Sequence, residues 1–237
     1  MRKKIYLRDD DAGAADARFI KTFRLLKTKG MAASYAVIPA ELKESLVGFL
    51  KAEAGAKTAF EVLQHGWNHK NRGSRWLRQE FGNLTPAAAQ KMDILKGFKL
   101  LKKKFGTLFT PVFVPPFHVY NVDTLRAAKA AGLKGFSASK KIPAARDLLF
   151  ITANIDVNVY APDGRSKPLD LARLKQKTIN CLKRREDICA YFHHAAFDAA
   201  DFAVFAAYLS FLGALRARGL IEFSLFRSCF GSRRNND

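Results

Sequence analysis

The stretch KIYLRDDD, residues 4–11, is a short apolar strand pattern that runs directly into three aspartates. Three adjacent carboxylates repel one another, so a chain that needed only solubility has little reason to place them where a strand meets its loop. A cation facing them would remove the repulsion. The alternative is that one of them caps the following helix, because Asp is a favoured N-cap and suits a helix N-terminus. The fold around Asp9, Asp10 and Asp11 decides between the two.

Outward from this stretch, short β-branched or aromatic runs alternate with longer segments of helical periodicity, which is the pattern of a β/α-repeating fold. The predicted strands lie in KIYL, ASYAVIP, FEVL, TPVFVPP, KGFSA, LFITANIDV, ICAYF and LIEFSL. About six helices separate them, and Thr85 with Pro86 predicts the N-cap and first residue of a long one ending near Phe105. No low-complexity linker divides the chain. We therefore expect a single α/β domain over residues 1–237, built as a distorted or open barrel.

Polar residues that directly follow predicted strands are the candidates for a functional site, because chemistry in β/α barrels collects at the C-terminal ends of the strands. This criterion selects four places: Asp9 to Asp11 after KIYL, His65 and His69 after FEVL, Pro115 to Asn121 after PVFV, and His193 with His194 after ICAYF. Only five histidines exist in the chain, and four of them fall in two of these clusters. Coincidence is therefore the weaker explanation.

The segment QHGWNHKN, residues 64–71, places two histidines four positions apart. On a helical turn this spacing puts both imidazoles on one face, as in the H-x-x-x-H pairs that bind zinc. The pair alone could equally be two unrelated surface histidines, and the neighbouring clusters favour a metal. Two His and one Asp leave coordination positions open, which is typical of a catalytic metal site. Zinc suits these ligands, and other divalent ions such as Co, Ni or Mn would also suit them.

The composition is strongly basic, with 41 Lys and Arg against 21 Asp and Glu and a formal net charge of +20. Such a balance concentrates polyanions, whether nucleic acid, an anionic lipid surface or an acidic saccharide, near the protein. The charge also fits a merely solvated basic surface. A basic nucleic-acid-binding protein is one hypothesis, but no helix-turn-helix, RNP-like or zinc-finger spacing supports it. We expect no specific nucleic-acid partner.

The N-terminal sequence MRKKIYLRDD passes from basic to acidic without an apolar signal-peptide core. No apolar run approaches the roughly 18 residues that a membrane helix needs. These patterns predict a cytoplasmic protein without a transmembrane segment. The three cysteines are widely spaced and form no C-x-x-C pair, so neither a disulfide framework nor a thiolate zinc site is predicted.

Taken in order, the motifs resemble those of the polysaccharide deacetylases of the NodB-homology type (carbohydrate esterase family 4), and more closely a divergent bacterial branch. LRDDDAG is similar to the first motif of that family, HGWNHKN to its H-x-x-x-H second motif and YFHH to its fifth. FVPPF lies where the third motif is expected, and NIDV resembles the fourth. EFG at residues 80–82, shortly after the second motif, is similar to the sequence of the divergent bacterial branch at this place. The resemblance covers nearly the whole chain and implies a distorted (β/α)7-type, NodB-like barrel.

The resemblance also implies roles for individual residues. It makes Asp11, His65 and His69 the ligands of a divalent metal ion. Asp10 falls at the position of the catalytic base, and His193 or His194 would be the acid that protonates the leaving amine. The implied reaction is hydrolysis of an N-acyl group, such as acetyl, from an amino sugar, with a saccharide or anionic glycoconjugate as substrate. A related hydrolase of a non-sugar C–N bond is the alternative, because fold does not determine substrate.

The chain departs from the family pattern in its third motif. Val114 stands where many members have an arginine that orients the base. Arg8 is a candidate replacement, although alternation along a strand argues against it. Asp9 and Asp156 are expected to support the metal ligands and the catalytic residues without taking part in the reaction themselves.

Four further residues are candidates for the wall of the substrate pocket. Phe117 and His118 replace the usual Tyr-Gly of the third motif, and Pro116 with Pro115 is expected to stiffen this loop. Trp67 lies between the two ligand histidines, where an aromatic ring could stack on a sugar.

Overall fold

The fold consists of one curved, parallel sheet, a short hairpin and seven helices in the described part of the chain. The computed structural model describes residues 2–55, 59–74, 76–145, 148–161 and 165–231. The strands are β1 (Lys3–Ala12), β2 (Ala33–Val37), β3 (Phe60–His65), β4 (Phe109–Val114), β5 (Gly135–Ala138), β6 (Leu149–Thr152), β7 (Ile155–Asp156), β8 (Val159–Tyr160), β9 (Ser166–Lys167), β10 (Ile188–Phe192) and β11 (Ile221–Phe223). The helices are α1 (Ala17–Thr28), α2 (Glu44–Glu53), α3 (Ala87–Phe105), α4 (Val122–Ala131), α5 (Leu171–Lys183), α6 (Ala199–Ala217) and α7 (Ser228–Gly231).

The main sheet is parallel and has the strand order β6-β5-β4-β3-β2-β1-β10-β7, with β11 beside the start of β1. Strands that follow one another in the first half of the chain are therefore neighbours in the sheet, as the right-handed β/α connections of such folds require. A separate antiparallel hairpin joins β8 and β9. The predicted distorted β/α barrel is confirmed, and in the described part of the chain its two edge strands, β6 and β7, do not pair.

The predicted strand LFITANIDV is in fact two strands that belong to opposite edges of the sheet. β6 pairs with β5, whereas β7 pairs with β10. Asn154 lies between them, where its side chain accepts from the backbone N–H of Cys189 and donates to the carbonyl of Asp187. The side-chain amide thus replaces ladder hydrogen bonds while the chain crosses from one edge to the other.

The expected N-cap of α3 is wrong, and the alternative role of the aspartate run as a helix cap is not found. Thr85 does not cap α3, because its hydroxyl donates to the carbonyl of Glu80 and the residue at the N-cap is Pro86. None of the three consecutive aspartates caps α1 either. The cap is Asp16, whose carboxylate accepts from the backbone N–H of Phe19 at 2.8 Å. The run Asp9 to Asp11 therefore has other partners.

Apolar side chains form two layers, one on each face of the curved sheet. The outer layer packs the sheet against the helices, and the inner layer fills the barrel with residues such as Tyr6, Leu63 and Phe226. Because successive strand residues point to opposite faces, β1 directs Tyr6, Arg8 and Asp10 inward and directs Leu7 and Asp9 toward the helices.

The C-terminal segment is anchored against the barrel by a buried carboxylate. Glu61 on β3 is fully buried and accepts hydrogen bonds from Ser34 and Thr110. It also accepts from the backbone N–H groups of Phe226 and Arg227, at 2.6 and 3.1 Å. All of these donors compensate the loss of water around the charge. The ring of Phe226 is thereby held in the inner apolar layer.

Among the described residues one helix, α6, is long and apolar enough to cross a membrane by length and composition only, so it is one weak exception to the expectation that no such segment exists. Its buried side includes Phe205, Tyr208 and Leu212, and the Tyr208 hydroxyl lies 2.9 Å from that of Thr178 on α5. The core helix of a globular protein passes the same test. α6 packs one side of its surface against the rest of the described chain.

Candidate active site and metal centre

The three consecutive aspartates diverge at the end of β1 and meet three different partners. Asp9 points toward the helices and Asp10 into the barrel, because they alternate along the strand. The β1–β2 register shifts between Asp9 and Ala12, and Asp11 has a φ of 63°. This left-handed conformation is uncommon for a non-glycine residue and turns the Asp11 side chain to the rim of the barrel. The repulsion that the sequence suggests is thus relieved by separation.

Asp11 lies against the two histidines of the segment QHGWNHKN. Its Oδ1 is 3.0 Å from Nε2 of His65 and 3.2 Å from Nε2 of His69. His65 Nδ1 lies 3.0 Å from the carbonyl of Val114, and donating to this oxygen leaves the Nε2 lone pair facing Asp11. Two acceptor atoms at this distance need a cation or a proton between them. One potential ligand atom from each of the three residues lies within 4.8 Å of the other two, so the donor set fits a divalent metal ion.

The protonation of these groups follows the same geometry. Burial alone would raise the pKa of Asp11 and lower that of His65, but their mutual contact outweighs it and shifts both in the opposite direction. Burial, and then the charge of His65, lowers the pKa of His69 to about 4. His69 is therefore a neutral imidazole near pH 7, which is the form that binds metal.

The loop between the two histidines is not the helical turn that their spacing suggests. His65 is the last residue of β3, and Gly66 and His69 both have a left-handed φ, of 55° and 54°. A Cβ on Gly66 would lie 2.3 Å from the Glu80 carboxylate, so only glycine fits there. The buried Glu80 accepts from three successive backbone N–H groups, those of Trp67, Asn68 and His69, at 2.9 to 3.0 Å. Glu80 therefore shapes the loop that presents His69.

Replacing Glu80 with glutamine is expected to weaken zinc binding by about 10- to 100-fold, the usual effect of losing a group that orients a metal ligand. The glutamine amide would present N–H donors to at least one of the three backbone donors, so the loop could not close in the same way. Isothermal titration with zinc measures the change. Glu222→Gln, an exposed carboxylate on β11, is the matched control. Equal affinities for the two variants would contradict the role of Glu80.

Asp10 forms a buried, two-point ion pair with Arg8. Arg8 Nε and one terminal nitrogen donate to the two oxygens of Asp10 at 2.7 and 2.8 Å. Arg8 also donates to the Ser137 hydroxyl at 2.6 Å and is fully buried. Burial would raise the pKa of Asp10, but the Arg8 charge outweighs it and lowers this pKa. The objection from strand alternation is wrong, because residues 8 and 10 are two apart and share a face.

The two adjacent histidines at the end of β10 point in opposite directions. His194 is buried on the helix side, where its Nδ1 lies 3.0 Å from Asp9 Oδ1 and its ring packs edge-on against Phe19. His193 faces the barrel, with Nε2 3.8 Å from Asp11 Oδ2. Within the described residues, Nδ1 of His193 has no hydrogen-bond partner. Of the two histidines, only His193 therefore faces the same space as Asp11.

A cavity of about 390 Å³ lies over these groups. Of the residues predicted from sequence, it is lined by Asp10, Asp11, His65, His69, Phe117, His118, Asp156 and His193. Asp156 Oδ1 is a buried atom without a hydrogen-bond partner in the described ranges, and burial raises the Asp156 pKa. The cavity therefore brings the candidate ligands, base and acid into one space.

Two predicted wall residues lie outside this cavity. Pro116 is buried and packs against Gly66, whose Cβ, if present, would lie 2.6 Å from the proline ring. Trp67 packs partly against the core, and Lys96 Nζ lies 4.3 Å above its ring. A lysine on this face competes with any stacked sugar. Pro116 acts on the loop, and of the predicted aromatic wall residues only Phe117 lines the cavity.

The wall of the cavity at Phe117 and His118 is held in an uncommon conformation, since both residues have a left-handed φ, of 58° and 59°. The Phe117 ring lies 4.5 Å from that of His69. His118 Nδ1 accepts from the backbone N–H of Ser139 at 3.1 Å. Burial, and then the nearby Arg8 charge, lowers the His118 pKa to about 3, so this imidazole stays neutral.

Three cavity residues are absent from the sequence prediction: Arg78, Tyr160 and Tyr191. Tyr191 could have been found, because it shares a strand face with His193 two residues later. Arg78 lies in the segment after the histidine loop and Tyr160 in a short hairpin, and no strand or motif pattern indicates their direction.

Comparison with known proteins identifies the family and the fold. Residues 1–136 match the family model for polysaccharide deacetylase. No curated protein matches the sequence. Among solved structures, a family 4 acetyl xylan esterase from Clostridium thermocellum in complex with a cobalt ion aligns with a TM-score of 0.64 at 15% identity, covering 97% of this chain and 91% of that one.

Two further structures are similar. A putative polysaccharide deacetylase from Mycobacterium smegmatis has a TM-score of 0.64 at 12% identity, with 96% of this chain and 95% of that chain covered. The CE4 domain of a xylanase from the hindgut metagenome of Trinervitermes trinervoides has a TM-score of 0.62 at 15% identity, with 100% and 93% covered. At these identities the likeness shows a common fold. Since the family model spans more than half of the sequence, the chain belongs to the polysaccharide deacetylase family.

Proposed function

We propose that the protein is a metal-dependent hydrolase that removes an N-acyl group, such as acetyl, from an amino-sugar substrate. One observation carries the proposal. Asp11, His65 and His69 converge at the wall of a cavity that also contains an arginine-bound carboxylate, Asp10, and an accessible imidazole, His193. Family membership supports deacetylation of a saccharide, and the converging donor atoms of Asp11, His65 and His69 support a metal.

Each group has a distinct role in the reaction. When bound, a divalent ion such as zinc, or alternatively Co, Ni or Mn, supplies Lewis acidity to the acyl carbonyl and to water. Asp10 accepts a proton from the attacking water, and Arg8 fixes the direction of its two oxygens. His193 donates a proton to the departing amine. The buried His194 cannot reach that nitrogen, because it is held by Asp9 on the other side of the sheet.

The metal requirement is tested on the purified protein and on the double variant His65→Ala, His69→Ala. Wild-type protein is expected to bind one zinc ion per chain and to release acetate from N-acetylglucosamine oligomers. The double variant is expected to lose both properties, because Asp11 alone is a weak monodentate site. Metal analysis and an acetate assay give the two readouts.

His118→Ala is the matched control for metal content, because it removes a cavity imidazole that is not a ligand. It is expected to keep one zinc per chain. A wild-type protein that never binds stoichiometric divalent metal, or a double variant that retains it, would refute the proposal.

A further inference from the structure

Arg78 lies at the cavity wall, and the proposed reaction gives it no task. Its guanidinium carbon lies 4.4 Å from the centre of the Phe117 ring. A cation over the face of an aromatic ring is attracted electrostatically, and this contact does not occupy the N–H donors of the guanidinium with a hydrogen-bond acceptor. Arg78 is exposed, and no ion pair or hydrogen bond joins it to another described residue. The neighbouring exposed Arg72, by contrast, is paired with Asp93 at 2.7 Å.

Arg78 is the outermost of three side chains that contact one another in a row, His69, Phe117 and Arg78. Phe117 is held in a left-handed conformation, and its ring lies 4.5 Å from His69 and 4.4 Å from the Arg78 guanidinium. These two contacts place the guanidinium carbon within about 9 Å of the ring centre of a candidate metal ligand, a distance that one sugar with a substituent can span. A group bound at Arg78 would belong to the reacting sugar or to its direct substituent.

The charge of Arg78 is not needed to balance the carboxylates of the cavity. Asp10 is paired with Arg8, and Asp11 faces His65 and His69. Burial raises the pKa of Asp156, the third carboxylate of the cavity, and so disfavours its charged form. Arg78 is therefore a positively charged side chain at the cavity wall that is available to bind an external anion.

We propose that Arg78 forms an anion-binding subsite, and that the substrate is an N-acylated amino sugar carrying a phosphate or carboxylate close to the acylated nitrogen. An arginine edge matches both anions through paired, charge-assisted hydrogen bonds. The net charge of +20 would raise the local concentration of such a substrate. The chemical reaction rests on the proposed function, whereas the subsite concerns binding alone.

The test measures binding of three sugars to zinc-loaded protein by calorimetry: N-acetylglucosamine, N-acetylglucosamine 1-phosphate and N-acetylmuramic acid. Wild-type protein is expected to bind at least one charged sugar about 10-fold or more tightly than the neutral sugar, as one charge-assisted pair allows. Arg78→Gln is expected to abolish this preference and to leave neutral-sugar binding unchanged within about twofold. Arg78→Lys is expected to keep part of it. The charged sugar whose affinity falls in Arg78→Gln shows whether the subsite binds a phosphate or a carboxylate.

Arg126→Gln, on the exposed face of α4, is the matched control and should keep the preference. Equal binding of neutral and charged sugars by wild-type protein would overturn the proposal. So would a preference that survives Arg78→Gln, since it would then arise from the general basic surface. Thermal unfolding of each variant checks that the exposed substitution leaves the fold intact.

The design separates this inference from the proposed function. An Arg78-dependent preference in a protein that releases no acetate would support the subsite and refute the hydrolase. Acetate release from neutral and charged sugars alike, unchanged in Arg78→Gln, would support the hydrolase and refute the subsite. If the proposed hydrolase activity and the Arg78 subsite are both correct, Arg78→Gln raises KM for the charged sugar about 10-fold with little change in kcat.

Discussion

Asp10→Asn is expected to lower the rate of deacetylation by about 10²- to 10⁴-fold, the usual contribution of a positioned general base. Asparagine has the same shape but cannot take the proton from water. Asp10 is not among the three residues whose ligand atoms converge, so zinc content should stay at the wild-type value. Acetate release under saturating substrate and metal analysis of the same preparation give the two numbers.

The variant also removes the charge that compensates the buried Arg8. Leaving one partner of a buried ion pair uncompensated commonly costs about 3–5 kcal/mol, so the free energy of unfolding must be measured with urea beside the rate. Asp93→Asn, which breaks the more exposed pair with Arg72, is the matched control and should change neither number greatly. An unchanged rate in folded, zinc-loaded Asp10→Asn would remove Asp10 from the role of base.

The relation of Arg8 to Asp10 shows what strand geometry alone can predict. Parallel strands place their C-terminal ends together, so polar residues after KIYL, FEVL and ICAYF are expected at one edge, and they are found there. Alternation along β1 further separates Asp9 from Asp10 and brings Arg8 to the same side as Asp10. The buried arginine that the third motif lacks at Val114 thus lies on β1, two residues from the carboxylate it holds.

The loops that complete the candidate site could not be predicted in this way. Asp11 and His69 adopt left-handed conformations that side chains avoid unless the surroundings enforce them. For His69 the enforcing contact is Glu80, eleven residues away, and a local pattern of residues carries no information about it. The same limit applies to LFITANIDV, whose division into two strands depends on hydrogen bonds from Asn154 to a strand more than thirty residues later.

His193→Ala and His194→Ala are expected to separate catalysis from stability at two adjacent positions. His193→Ala should lower turnover by about 10²- to 10⁴-fold, because it removes the only imidazole of the pair that faces the cavity. It should cost little stability, since His193 Nδ1 has no hydrogen-bond partner in the described residues. Single-turnover acetate release and urea unfolding measure the two effects.

His194→Ala should do the opposite. Asp9 would lose the buried partner at 3.0 Å, and the uncompensated carboxylate should lower the free energy of unfolding by about 3–5 kcal/mol. Turnover per folded, zinc-loaded molecule should stay close to wild type, because the Asp9–His194 pair lies on the helix side of the sheet. If His194→Ala abolished turnover in folded protein while His193→Ala kept it, the assignment of the acid would have to be reversed. Because adjacent strand residues face opposite sides, only one of the two histidines can serve the reaction directly.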